Sequence, residues 1–144
     1  MFNRIILTIV LLTATLFAQV DFQNAMLYKA DIDSKTAYDM QQKGAMIIDV
    51  RTKREFNESR AKNSLNIPVF YEQKGQRVFN KNFLNEIYTA INSDLNKEII
   101  LICRSGSRTK LASNLLAYQG FKNVYNIKNG FQYDWIKVNL PTEK

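Results

Sequence analysis

Residues 97–120 read KEIILICRSGSRTKLASNLLAYQG, and this stretch decides the fold. The apolar run Ile99–Ile102 is short enough to be a buried β-strand, and Cys103, the only cysteine of the chain, follows it directly. Residues 104–108 (RSGSR) are small, polar or basic. Apolar residues then recur at helical spacing as far as Gly120, a residue type that commonly ends helices. The stretch therefore predicts a strand, a tight loop that opens with the cysteine, and a helix.

This predicted position of Cys103 suits a reactive thiol. A loop that leads into a helix directs free backbone N–H groups and the positive end of the helix dipole to one place. Arg104 and Arg108 add two full charges, and Gly106 allows the backbone to turn tightly. We expect these features to favour the thiolate, which is the nucleophilic form of cysteine. The alternative is an ordinary buried apolar residue at a strand end.

Several segments of the chain resemble rhodanese-like domains. Cys103–Thr109 (CRSGSRT) is similar to the family's active-site loop, which often reads Cys-Arg-Ser-Gly-x-Arg-Ser. Residues 45–51 (AMIIDVR) resemble the family's Leu-Ile-Asp-Val-Arg signature, and residues 65–68 (LNIP) match the end of a further family pattern. Residues 60–64 (RAKNS) depart from the His-Ile-Pro-Gly-Ala usual there. The resemblance covers roughly residues 28–138.

The resemblance implies a sulfurtransferase. In that family the cysteine takes a sulfane sulfur from an anionic donor such as thiosulfate or polysulfide, becomes a persulfide, and passes the sulfur to a thiol, cyanide or a protein acceptor. Cys103 is the implied catalytic residue. The implied substrate-binding residues are those of the loop, Arg104, Ser105, Gly106, Ser107 and Arg108. Asp49 and Arg51 are expected to support the site through hydrogen bonds to neighbouring loops. No cofactor or metal is expected.

The composition narrows the chemistry further. The chain has no histidine, which excludes Ser-His-Asp and Cys-His catalysis and most zinc sites. A single cysteine excludes an intramolecular disulfide. The formal net charge of +7 favours anionic substrates, but the lysines are scattered and form no nucleic-acid motif, so no nucleic-acid partner is expected.

Two other functions use a similar site. A persulfide carrier or docking module with little turnover needs the same loop and the same persulfide. A phosphatase or arsenate reductase typically has arginine six residues after the cysteine, a position that Thr109 occupies here. Protein phosphatases also often place histidine before the cysteine, where this chain has Ile102.

The N-terminus resembles a secretory signal. Arg4 precedes the uncharged apolar stretch 5–17, which is short for a membrane span, and the small residue Ala18 suits a cleavage site. We expect residues 1–18 to be a signal peptide, residues 19–27 a lead-in and residues 28–140 one domain. The expected location is the periplasm or the exterior. The alternative is an inner-membrane anchor formed by an uncleaved N-terminus.

The remaining segments alternate between strand and helix patterns, which predicts an α/β fold. We expect three layers, α/β/α, with a mainly parallel central sheet of about five strands and Cys103 at a carboxyl strand end. Predicted details are a helix capped by Ser34, helical ion pairs Arg51/Glu55 and Arg54/Glu58, a hairpin turning at Lys74-Gly75, a left-handed backbone at Asn129, and a loose tail from Pro141.

Overall fold

The computed structural model describes residues 20–144, so the predicted signal peptide lies outside the described residues. The strands are β1 (Ala30–Ile32), β2 (Met46–Asp49), β3 (Arg60–Ala61), β4 (Leu65–Asn66), β5 (Phe70–Gln73), β6 (Gln76–Phe79), β7 (Glu98–Ile102), β8 (Asn123–Ile127) and β9 (Thr142–Glu143). The helices are α1 (Ser34–Gln42), α2 (Lys53–Glu58), α3 (Phe83–Ala90) and α4 (Ser107–Tyr118), followed by a π-helical turn at Phe131–Trp135.

A five-stranded sheet with the order β1-β8-β7-β2-β4 forms the centre of the fold. Every pair in it is parallel, so the carboxyl ends of the strands share one edge. Strand β7 lies in the middle and ends at Ile102, which places Cys103 at that edge. The predicted α/β class and the mainly parallel five-stranded sheet are confirmed.

The uninterrupted apolar run of β7 is explained by burial on both faces of the sheet. Ile99 and Leu101 pack into a core that includes Phe83 and Ile87 of α3 and Leu116 of α4. The alternate residues of β7 pack on the opposite face in a second core. Its members include Ala37 of α1, Ile100, Ile102, Ile127 and Trp135. Helices therefore cover both faces, and the three layers meet at the strand that carries the cysteine.

The helix boundaries follow local capping chemistry. The predicted cap Ser34 is wrong, since the side chain of Asp33 accepts the Thr36 N–H and Ser34 is the first residue of α1. Thr52 caps α2 in a reciprocal capping box with Glu55, so the backbone N–H groups of both residues have acceptors at the N-terminus of that helix. Gly120 follows the end of α4 with φ +99°, as the sequence predicts for a helix stop.

The predicted hairpin is confirmed, whereas the prediction for the tail is not. Strands β5 and β6 form the predicted hairpin, with Lys74 and Gly75 both at positive φ, as a two-residue turn requires. The predicted loose tail is wrong, because β9 pairs antiparallel with β3. Trp135 Nε1 also donates to the Pro141 carbonyl at 3.0 Å, which fixes the start of the tail.

The segment before β1 is fastened to α4 by one buried amide. Asn114 Nδ2 donates to the carbonyls of Phe22 and Ala25, both at 2.8 Å, and its Oδ1 accepts the Leu27 N–H at 2.8 Å. Three hydrogen bonds to one side chain fix this predicted lead-in against the helix that follows the cysteine loop. None of the helices within residues 20–144 has the length and apolar character needed to cross a membrane.

Candidate active site

Cys103 lies between the end of β7 and the start of α4, and its sulfur faces that helix. The Gly106 N–H donates to Cys103 Sγ at 3.1 Å, and Thr109 Oγ1 lies 3.4 Å from the same sulfur. Thr109 Oγ1 also donates to the Gly106 carbonyl at 3.0 Å. The Thr109 hydroxyl has one proton, so while it donates to the Gly106 carbonyl it can only accept a hydrogen bond from a Cys103 thiol. To donate to a Cys103 thiolate, the hydroxyl must rotate away from that carbonyl.

The segment that follows β8 holds the cysteine loop from the other side. The Phe131 N–H donates to the Cys103 carbonyl at 2.7 Å, and the Gln132 N–H to the Arg104 carbonyl at 3.0 Å. Gly130, at φ +70°, permits this approach, since a Cβ there would lie 2.6 Å from the Cys103 carbonyl oxygen. The left-handed residue is thus Gly130, and the expectation for Asn129 is wrong.

Arg108 binds the carboxylate of Glu55, which helical spacing had predicted to pair with Arg51. Its Nη1 and Nη2 donate to Glu55 Oε2 and Oε1 at 2.7 and 2.8 Å. The predicted Arg51/Glu55 pair is wrong, because Arg51 instead binds Asp49. The Arg108 side chain is only 7 % exposed, and its hydrogen bonds to Glu55 raise the pKa of its guanidinium. Arg108 is therefore a buried part of the loop's framework.

Glu55 joins α2 to the cysteine loop. One of its oxygens, Oε2, accepts the Thr52 N–H at 3.0 Å as well as Arg108. Burial raises the pKa of Glu55, but the hydrogen bonds and charge of Arg108 and the hydrogen bonds of Thr52 outweigh it and lower the pKa from 4.5 to about 2. Glu55 stays ionised in the folded protein at any ordinary pH.

This lowered pKa predicts a specific acid sensitivity. Above pH 4.5 the Glu55 carboxylate is charged in both states, so its stabilisation is complete. As the pH falls from 4.5 towards 2, the unfolded chain takes up this proton first and the stabilisation is lost. Chemical denaturation across this range will show a shallower loss of stability in Glu55→Gln. The variant Glu58→Gln, on the exposed side of the same helix, will keep the wild-type slope; an identical slope in both variants contradicts the assignment.

Asp49 and Arg51 form a second buried pair beside the loop. Arg51 Nη2 donates to Asp49 Oδ2 at 2.7 Å and to the Ser59 carbonyl at 2.7 Å, which connects β2 to the end of α2. Burial raises the pKa of Asp49, and the Arg51 guanidinium opposes that rise. The Arg51 guanidinium also lies 4.5 Å above the Phe131 ring. The pair thus positions the elements around the site.

An open cleft of about 520 Å³ lies beside the cysteine loop. Its lining combines glutamates, Glu55, Glu58 and Glu72, with arginines, Arg51, Arg54, Arg77 and Arg104. We call it the mixed-charge cleft. Phe131 and Gln132 also line it, so the residues that hold the loop backbone form part of its wall.

The predicted loop residues take different positions around this cleft. Cys103 has no exposed surface, whereas Arg104 is exposed and its Nε–H donates to Gln132 Oε1. Ser105 and Ser107 are exposed, and Gly106 supplies the amide that reaches the sulfur. Glu55 and Thr109 were missed as site residues. Thr109 is the last residue of the loop that resembles the family motif and the position where a phosphatase would have arginine, but it was given no role in the site, and Glu55 carried no functional signal.

Within residues 20–144, no cluster of histidine, cysteine, aspartate and glutamate side chains has the make-up of a metal site. The contacts of the sulfur come instead from a backbone amide and a hydroxyl. This arrangement can stabilise negative charge on the Cys103 sulfur.

Comparisons with known proteins identify the family and the fold. A family model described as "Rhodanese-like domain" matches residues 33–136. A Rickettsia prowazekii protein described as uncharacterized is 34% identical over 123 residues, covering 77% of this chain and 94% of that protein. An Arabidopsis thaliana protein named thiosulfate sulfurtransferase 16, chloroplastic, is 32% identical over 116 residues, covering 79% and 92%. The solution structure of a polysulfide-sulfur transferase homodimer from Wolinella succinogenes has the same fold, with a TM-score of 0.61 and 24% identity over 91% of this chain and 88% of that one.

Proposed function

The chain belongs to the rhodanese-like domain family, and we propose that it is a sulfurtransferase that carries a sulfane sulfur on Cys103. One observation carries the proposal: the Gly106 N–H lies 3.1 Å from Cys103 Sγ at the start of α4. A backbone donor and a helix N-terminus directed at Cys103 Sγ can stabilise the negative charge that this sulfur takes when it leaves the persulfide in the proposed transfer. The name of the Arabidopsis thaliana relative supports the same chemistry.

The proposed reaction has two displacements. The Cys103 thiolate attacks the outer sulfur of thiosulfate or of a polysulfide, the donor's sulfur–sulfur bond breaks, and sulfite or a shortened polysulfide leaves with the bonding electrons. An acceptor nucleophile then attacks the outer sulfur of the Cys103 persulfide, and Cys103 leaves as a thiolate. The sulfur count and the electrons balance, and no external oxidant or reductant is consumed.

Access to the sulfur requires a movement of the site. Cys103 is fully buried, whereas Arg104 and the Glu55 side chain above the loop line the mixed-charge cleft. We place the entry path there, since Arg104 is exposed and is the loop's accessible cation. Arg108 is already neutralised by Glu55, so Arg104 is the stronger attraction for an anionic donor.

Intact-mass spectrometry tests the proposal directly. Incubation of the purified protein with thiosulfate or polysulfide is expected to add the mass of one sulfur atom to Cys103, and cyanide is expected to remove it as thiocyanate. The variant Cys103→Ser is expected to do neither. Unchanged mass in the wild-type protein with both donors would overturn the proposal.

A persulfide carrier is the second candidate, and the burial of Cys103 favours it, because an enclosed persulfide exchanges slowly with small acceptors. Persulfide formation followed by slow transfer to every small thiol and to cyanide would select it. A phosphatase or arsenate reductase fits poorly. Thr109 occupies the position where those enzymes have arginine, and its hydroxyl lies 3.4 Å from the sulfur.

We also propose that the protein is exported. The support is the charge and hydropathy pattern of residues 1–18. The mass of the protein recovered from the periplasm or medium of expressing bacteria tests cleavage near Ala18. Recovery in the membrane fraction with an intact N-terminus would instead show an anchor.

A further inference from the structure

The charges of the mixed-charge cleft do not cancel locally. Arg51 is bound to Asp49, and Arg54 is shared between Glu58 at 3.3 Å and Glu72 at 3.2 Å. Among residues 20–144, no carboxylate pairs with Arg77 or with Arg104. Two guanidinium groups that line one cleft are therefore available to an anionic ligand.

Arg77 reaches the cleft through the hairpin geometry. It lies directly opposite Glu72 in the register of β5 and β6, so both side chains are on the same face of the hairpin. Glu72 binds Arg54 of α2 instead, at 3.2 Å. This ion pair anchors that face of the hairpin toward α2 and leaves Arg77 without its cross-strand partner.

Arg104 reaches the same cleft from the cysteine loop. Gln132 accepts its Nε–H, and its guanidinium lies 5.9 Å from the centre of the Tyr133 ring. Gln132 and Tyr133 restrain the side chain without neutralising its charge. The two guanidinium groups thus come from different parts of the fold: Arg77 from β6 and Arg104 from the loop that begins at Cys103.

The cleft has room for a ligand larger than a small inorganic ion. About 520 Å³ falls in the range of pockets that hold small organic ligands, and a thiosulfate ion fills little of it. Guanidinium groups bind carboxylates with two parallel hydrogen bonds. Glu58 and Glu72 line the same cleft, but both already pair with Arg54, so they do not neutralise Arg77 or Arg104.

We propose that Arg77 and Arg104 bind the carboxylate of the sulfur acceptor, which is a small thiol that carries a carboxylate group. This inference rests on the proposed sulfurtransferase activity. The acceptor loses its thiol proton to solvent, and its sulfur attacks the outer sulfur of the Cys103 persulfide. The bond between that sulfur and Cys103 breaks, Cys103 leaves as thiolate, and the acceptor becomes the persulfide.

Single-turnover kinetics on the persulfidated protein test this assignment. Transfer rates are measured with 3-mercaptopropionate, which has a carboxylate, and with 2-mercaptoethanol, which has none, in wild type, Arg77→Gln and Lys74→Gln. Lys74 is in the turn of the same hairpin but does not line the cleft, so its variant removes the same charge elsewhere. Comparing the ratio of the two second-order rate constants between proteins cancels the intrinsic reactivity of each thiol.

The expected result is a fall of about three- to fivefold in this ratio for Arg77→Gln, the size of one exposed ion pair. Lys74→Gln keeps the wild-type ratio, and added salt lowers the ratio in the wild-type protein. A persulfide that forms normally, with the same ratio in all three proteins, overturns the acceptor assignment and leaves the sulfurtransferase proposal intact. Failure of the wild-type protein to form a persulfide overturns both.

Discussion

Substitution of Gly106 by alanine is expected to slow persulfide formation by about a hundredfold and to destabilise the fold by about 3–5 kcal/mol. Gly106 has φ +97°, and a Cβ there would lie 1.9 Å from the Lys128 carbonyl oxygen. Because this oxygen belongs to the backbone, the cysteine loop itself must move. The Gly106 N–H would leave the sulfur, and with it the hydrogen bond on which the proposed chemistry depends. Time-resolved mass spectrometry measures the rate of persulfide formation, and chemical denaturation measures the free energy of unfolding.

Gly120→Ala is the matched control for this variant. Gly120 has nearly the same φ, +99°, but a Cβ there meets nothing within 4 Å. It is expected to show only the conformational cost, about 1–2 kcal/mol, with normal persulfide formation. Equal stability losses in the two variants, or a normal rate in Gly106→Ala, would show that the contact with Lys128 does not position the loop.

Substitution of Glu55 by alanine is expected to lower the free energy of unfolding by about 3–5 kcal/mol, because it leaves a buried guanidinium unpaired. Arg108 is 7 % exposed and has both terminal nitrogens on Glu55. The same change removes the capping box of α2. Slower persulfide formation is also expected, since Arg108 lies in the first turn of α4, which directly follows Gly106, whose amide donates to the sulfur. Equilibrium denaturation at neutral pH gives the first value.

Two variants separate the buried pair from other effects. Glu58→Ala removes an exposed carboxylate from the same helix, and a change within about 0.5 kcal/mol is expected. The double variant Glu55→Leu with Arg108→Met removes both charges and is expected to recover much of the stability lost in Glu55→Ala. If the double variant is as unstable as the single one, the loss comes from the helix cap and not from the unpaired arginine.

Local sequence patterns predicted the centre of the fold because its causes are local. The apolar run of β7 is too short for a helix and uninterrupted by polar residues, as expected of a strand buried on both faces. Gly106 follows at the point where a tight turn leads into α4. The turn at Lys74 and Gly75 was also predictable from local sequence, because a two-residue hairpin turn needs positive φ at consecutive positions and few residue types adopt it. The position of Cys103 at a carboxyl strand end then followed from the parallel sheet.

The contacts that the sequence did not predict join distant parts of the chain. Glu55 lies four residues from Arg51 and is separated by 53 residues from Arg108, so helical spacing selected the wrong partner. The tail from Pro141 was expected to be loose because the terminal residues of a domain are usually poorly ordered. Thr142 and Glu143 form a strand because residues 60 and 61 offer unpaired backbone groups, which no local pattern reveals.

The parallel pairing of β1 with β8 has a consequence for how a growing chain matures. Residues 30–32 must wait for residues 125–127 before they find their partners, and residues 60–61 wait for residues 142–143. Such long separations make closure of the sheet late and slow. The cysteine loop rests on Lys128 and Phe131, so the ribosome must have released residues 128–131 before Cys103 can acquire the contacts that hold it in the folded protein.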